Sequence, residues 1–256
     1  MKKASLLIII ALILATSAIV WKKANKKIIS TSDIETIIVG TNAEFQPFSF
    51  KENDVITGFD IDIITQALTR LGKQMVIKDM PFDALLPEIQ LGNIHVIAAG
   101  ITPTEERAKR ALFTRPHLTS DSLVIITPKN KSLVSLDDLK NKTVVVNEGY
   151  VSDSFMSEQP GINTLRLSSA AVSDGMLALE SGRADAFVTA LNPMKPYFAK
   201  YDSNEFSITA IPGTEESSAL AISKHYPELR SSLQRTLDRM EEDGTLAILK
   251  KKWDLL

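Results

Sequence analysis

An α/β fold follows from three features of this 256-residue chain. Short β-like runs alternate with helix-like ones beyond residue 33, and no apolar stretch in that range is long enough to cross a bilayer. A polar, proline-containing run, PKNKS over 128–132, then divides the alternation into two series, each reading as a sheet covered by helices.

In the first series, strands are expected over 37–40, 74–78, 96–100 and 123–127. A helix over 58–72 places Ile61, Ile64, Leu68 and Leu71 on one face and has glycine at each end, and a second, over 82–91, is closed by Gly92. The second series reads as a short helix over 136–140, a strand over 143–146, a helix starting within 149–156, a helix over 170–181 and a strand over 185–188. The chain turns polar over 212–217, a strand follows over 219–223, and helices over 228–240 and 245–253 finish it. There is no internal repeat. Two α/β units joined by extended connections enclose a cleft, the usual place for a small ligand.

Composition narrows the function. Hydrophobic residues make up 44% of the chain and the net charge is −2 with both signs interspersed, so nucleic-acid binding has no basic stripe to rest on. The absence of cysteine excludes disulfides, thiolate metal sites, a cysteine nucleophile and a lipid-bearing N-terminal cysteine. His95, His117 and His225 lie far apart without metal-ligand spacing, so neither metal nor cofactor is expected.

Residues 1–33 read as a targeting segment and linker. Lys2 and Lys3 precede an apolar run over 4–20, and Thr16-Ser17-Ala18 resembles a signal-peptidase site. Trp21, Lys22, Lys23, Lys26 and Lys27 would also flank an uncleaved anchor, but the positive-inside rule would put those lysines in the cytoplasm, contrary to export. An exported protein, periplasmic or otherwise extracytoplasmic, is the expectation; it would be tethered if the segment is not cleaved.

The stretch GITPTEER over 100–107 carries the most chemistry. Thr102 is a natural N-cap, Pro103 suits the first helical position and Glu105 completes a capping box. A helix start favours an anion, and Arg107 adds a planar fork that fits a carboxylate. An ordinary capped helix with a solvated arginine is the alternative on these residues alone.

The whole chain from 37 to 253 resembles the extracytoplasmic solute-binding proteins that serve polar amino acid ABC importers, of the glutamine-, histidine- and arginine-binding type. The markers are GTNAEFQPFSF (40–50), GFDIDI (58–63), FDALLPEIQLG (82–92), GITPTEER (100–107), SLDDLKNKTVVV (135–146), GRADA (182–186) and EDGTLAILKKKW (242–253). Each is weak alone; seven in order are specific. The resemblance implies a two-lobed periplasmic-binding-protein fold, each lobe a sheet flanked by helices, joined by a two-strand hinge. Lobe 1 would comprise 34–127 and 219–256, lobe 2 would comprise 128–218, and the crossings would fall near 123–127 and 219–223. It further implies a monomer that closes on an amino acid and presents it to a membrane-embedded permease.

By the same resemblance, Arg107 grips the ligand's α-carboxylate, with Gly100, Ile101 and Thr102 beside it, and Phe45 and Phe82 wall its side chain. Gly149, Val151 and Ser152 belong to the second-lobe loop that closes over the carboxylate. The usual threonine of that loop is Val151, with Ser152 as a substitute hydroxyl. The aspartate that anchors the α-ammonium in many relatives is replaced by Ala190, leaving Thr189 or Asn192 to compensate, or else a ligand without an α-amino group. Asn42, Glu44, Asp121 and Glu148 lie at or beside positions facing the ligand's far end; the three acids point to a basic ligand, arginine or lysine, although Asn42 stands where such relatives carry an acid. Two other functions stay open: a cyclohexadienyl-dehydratase-like enzyme with Glu148 as its acid or base, and the sensor domain of a larger receptor or transglycosylase, which the short tail after Trp253 disfavours.

Overall fold

The computed structural model describes residues 34–131, 133–201 and 203–255. In chain order the first part consists of β1 (Thr36–Thr41), β2 (Glu44–Phe45), β3 (Ser49–Glu52), β4 (Val55–Thr57), α1 (Phe59–Arg70), β5 (Gln74–Asp79), α2 (Phe82–Leu91), β6 (Val96–Ile97), α3 (Glu105–Ala108) and β7 (Leu112–Phe113). The long β8 (Leu118–Pro128) leads to β9 (Thr143–Asn147), α4 (Val151–Ser157), β10 (Asn163–Leu167), α5 (Val172–Glu180), β11 (Ala186–Ala190) and α6 (Met194–Lys200). The equally long β12 (Phe206–Ser218) returns the chain to β13 (Ala221–Ile222), α7 (Pro227–Glu242) and α8 (Thr245–Lys252).

Two five-stranded sheets result, in the orders β5-β1-β6-β13-β7 and β10-β9-β11-β8-β12; β2, β3 and β4 form a small third sheet that was not foreseen. The central strands are apolar on both faces because helices cover both. Leu123 and Ile125 pack with Val144, Val146 and Met156 of α4, whereas Val124 and Ile126, pointing the other way, pack with Val145, Phe187 and Met176 of α5. The first sheet does the same, with Val96 and Ala98 in one cluster and Ile97 and Ala99 in the other. The helix expected over 58–72 is α1, halted where Gly72 adopts φ 64°, and the one expected over 82–91 is α2, halted at Gly92 with φ 81°.

The chain passes between the sheets along β8 and β12. They pair antiparallel from Leu118↔Ser218 through Asp121↔Glu216 to Phe206↔Pro128, with register shifts between Ala210 and Glu215 and between Glu216 and Ser217. The second crossing is therefore β12, and not the strand expected over 219–223, whose core β13 lies inside the first sheet. Pro212 and Gly213 read as a loop in the sequence, but they sit at the register shift, a bulge that bends the strand without ending its pairing. Other departures are local. The strand expected over 96–100 stops at Ile97, and the helix expected over 136–140 is a single 3-10 turn, Asp137–Leu139. The expected targeting segment, 1–33, lies outside the described residues. Among the described residues no helix is long and apolar enough to cross a membrane.

One buried carboxylate ties α1 to the start of the GITPTEER stretch. Asp60, fully buried, accepts from the Gly100 amide at 2.7 Å and from His117 Nε2 at 3.0 Å. Asp60→Ala leaves two buried donors without an acceptor, which should cost roughly 3 kcal/mol or more. The check is a fall in the urea midpoint at unchanged slope.

Candidate ligand-binding site

Gly100 turns the chain out of the first sheet with φ 63°, and a Cβ there would lie 3.1 Å from ring atoms of both Phe45 and Phe48. Glycine is required for both reasons. The helix that follows is α3, four residues long and capped by Thr104, whose Oγ1 accepts from the Arg107 amide at 3.3 Å. This corrects the cap expected at Thr102. The capping box that Glu105 completes with Thr102 does not form, because the helix begins only at Glu105. Freed from capping, the Thr102 hydroxyl donates to Glu216 Oε2 at 3.0 Å. A helix this short contributes little dipole, so the positive character of the site comes from Arg107.

Arg107 is 8% exposed. One terminal nitrogen donates to the Thr102 carbonyl at 2.9 Å, the other to the Gly149 carbonyl at 3.0 Å, and the guanidinium carbon lies 5.5 Å from the centre of the Phe82 ring. Burial holds its pKa below the usual arginine value, an effect opposed by the nearby Glu216. Two of five N–H groups are thus committed to neutral carbonyls, and the side chain borders a cavity.

That cavity is about 20 Å³, and three parts of the chain meet at it. Phe45, Phe82, Gly100, Thr102 and Arg107 come from the first sheet's side, and Val151, Ser152 and Thr189 from the second; all eight were singled out in the sequence. The crossing strands add Asp121 and Glu216, and the loop before α4 adds Tyr150. Five expected residues do not border it. Ile101 is 1% exposed and packs in the core beside Phe82 and Leu85. Asn42 is buried, with Nδ2 donating to the Met80 carbonyl. Glu44 is exposed at the surface and accepts from the Ala170 amide at 3.1 Å. Glu148 is exposed, and Gly149 reaches the site only through its carbonyl. The expected gathering of Glu44, Asp121 and Glu148 at the ligand's far end does not form, because the first and last sit at element ends in solvent.

Asp121 instead faces Glu216 across the β8–β12 pair. It is 6% exposed, accepts from the Asn192 amide at 2.9 Å, and is pushed above the usual carboxylate range by burial. Glu216 is raised to about 7, by burial first and by repulsion from Asp121 besides, against the Thr102 hydrogen bond and the pull of Arg107. The sequence reading missed Glu216 because TEESS looked like a loop. Only the strand assignment reveals that it alternates inward.

Residues 37–255 match the family model described as bacterial extracellular solute-binding proteins, family 3. The chain belongs to this family. The arginine-binding extracellular protein ArtP of Bacillus subtilis (strain 168) is 32% identical over 228 residues, covering 88% of each chain. The structure of an ancestral arginine-binding protein bound to arginine superposes with a TM-score of 0.79 at 32% identity, covering 86% of this chain and 98% of that one. The crystal structure of the ancestral amino acid-binding protein AncCDT-1, a precursor of cyclohexadienyl dehydratase, gives 0.76 at 31% identity, covering 86% and 95%. The family resemblance and the two-lobed fold read from the sequence both hold.

The raised Glu216 carboxyl makes a pH prediction. The folded chain holds this proton more tightly than the unfolded one, so the stability it contributes is complete below about 4.5 and is lost as pH rises to about 7. The ligand-free protein should lose roughly 3 kcal/mol across that window through this group. Glu216→Gln should flatten the pH dependence of the melting temperature, and an unchanged profile would exclude Glu216 as its source.

Proposed function

We propose that this family member is the exported receptor of an amino acid ABC importer, which closes on an α-amino acid and delivers it to a membrane-embedded permease. The observation that carries the proposal is Arg107, a buried cation whose fork spans a first-lobe carbonyl and a second-lobe carbonyl at the edge of a cavity that Asp121 and Glu216 also border. An anion at this place contacts both lobes, which is what a closing ligand must do. We assign 34–117 with 219–256 to lobe 1 and 118–218 to lobe 2, because β8, expected in lobe 1, pairs within the second sheet; we take β8 and β12 as the hinge and the working unit to be a monomer. Export rests on the pattern of residues 1–33.

Arginine is the ligand suggested by the names of ArtP and the ancestral arginine-binding protein; lysine rests on the sequence resemblance alone. The two buried acids, Asp121 and Glu216, support a cationic group on the ligand whatever its side chain. We assign no catalytic residue. The competing reading, a cyclohexadienyl-dehydratase-like activity, is supported by the likeness to AncCDT-1, and its acid would be Glu216 in place of the exposed Glu148. A receptor for a carboxylate without an α-amino group would leave both buried acids unmatched.

A thermal-shift screen of the twenty amino acids and simple carboxylic acids tests the proposal. A true ligand at about 100 times its dissociation constant adds roughly 2.7 kcal/mol. Arg107→Ala should weaken that ligand by about 10- to 150-fold, the equivalent of 1.5–3 kcal/mol. No response to any amino acid, or turnover of a prephenate-like acid, would refute the receptor reading.

A further inference from the structure

The aromatic slot is already filled. Tyr150, from the second-lobe loop, stacks on Phe82 with ring centres 3.9 Å apart and planes 21° apart, and lies 4.8 Å from Phe45. Its hydroxyl donates to Asn42 Oδ1 at 3.3 Å, and burial raises its pKa well above the usual tyrosine value. The two rings that the family resemblance assigns to the ligand's side chain therefore hold a side chain of the protein itself, and Asn42, at the slot's far end, is engaged by it. Such stacking adds about 0.5–1.5 kcal/mol beyond the apolar area it buries, so an incoming chain must displace a well-packed ring.

Beside these rings the cleft keeps a cavity of about 20 Å³ bordered by charge of both signs. Arg107 borders it, and so do Glu216 and Asp121, which the crossing strands bring into register; Thr102 lies between the two signs, its carbonyl accepting from Arg107 and its hydroxyl donating to Glu216. The wall at Ala190 is uncharged. A pocket with one cation, two acids and no side-chain slot matches a short zwitterion.

We propose that Tyr150 takes the place of a ligand side chain, so that the cleft selects a compact α-amino acid of the size of glycine, alanine or serine, with its ammonium group received by Glu216 and Asp121. The proposal rests on the reading that the cleft holds an amino acid, and it settles the side chain by size. It also accounts for Ala190: the counter-charge for the ammonium comes from the hinge strands instead. An ammonium beside Glu216 would favour the ionised carboxylate, so uptake should release a proton near neutral pH.

Calorimetric titration of glycine, L-alanine, L-serine, L-arginine and L-lysine into the full mature protein decides it. The wild type should bind at least one of the three small amino acids tenfold or more tightly than arginine or lysine. Tyr150→Ala, with Tyr150→Ser as a check on folding, should open the slot and tighten arginine at least tenfold. Glu216→Gln should weaken the preferred amino acid tenfold or more, and should abolish the proton release, read as the dependence of binding heat on buffer ionisation. Tighter wild-type binding of arginine than of any small amino acid would overturn the inference and leave the receptor reading standing; so would an unchanged ranking in both Tyr150 variants. Failure of all amino acids to bind would overturn both.

Discussion

Arg107 is the constraint around which the cleft is organised. A guanidinium removed from water loses several kcal/mol of hydration unless dipoles or charges replace it. Here the replacements are the carbonyls of Thr102 and Gly149, one from each side of the cleft. Carbonyl dipoles compensate a cation only in part, which leaves the closed cleft receptive to a carboxylate. Because one of the two carbonyls belongs to the loop before α4, the arginine also joins the lobes when they shut. Its location follows from local rules: Gly100 turns the chain, Asp60 fixes the turn through the Gly100 amide, and Thr104 caps the short helix that carries the side chain.

The crossing strands do more than connect. β8 and β12 run side by side past the cavity, and the bulge between Ala210 and Glu215 sets which of their residues face it. Asp121 and Glu216 meet there as like charges, with Arg107 the nearest strong counter-charge to Glu216, an arrangement that is costly when empty and favourable when a cation enters. Hinge position and ligand electrostatics are thus set by the same pair of strands. On the proposed function, closure and charge complementarity would be linked, since the acids assigned to the ligand sit on the strands that join the two sheets.

Much of this was legible in the sequence, for identifiable reasons. β1, β5, α1 and α2 were placed within a residue or two because their apolar periodicity is strong and glycines end the helices. Ten of the residues that border the cavity were named in advance, most of them in a motif close to a turn or helix start. What escaped detection depends on distant partners. Glu216 is inward only because β12 pairs with β8 in one particular register, and the proline and glycine before it disguised the strand as a loop. Tyr150 carries no local signal, since nothing in its neighbours indicates that its ring crosses the cleft to stack on Phe82. Thr102 has the stronger local capping pattern, yet Thr104 makes the cap and the Thr102 hydroxyl pairs with Glu216, 114 positions away, a partner no local pattern reveals. The acids at 44 and 148 were grouped by motif position alone, and solvent at element ends separated them.

A crystal structure of the protein with its tightest-binding amino acid tests the central claim most directly. The account predicts a ligand carboxylate within hydrogen-bonding distance of the Arg107 fork and in contact with both lobes. An Arg107 side chain turned out of the cleft, or a ligand held without touching it, would contradict the account.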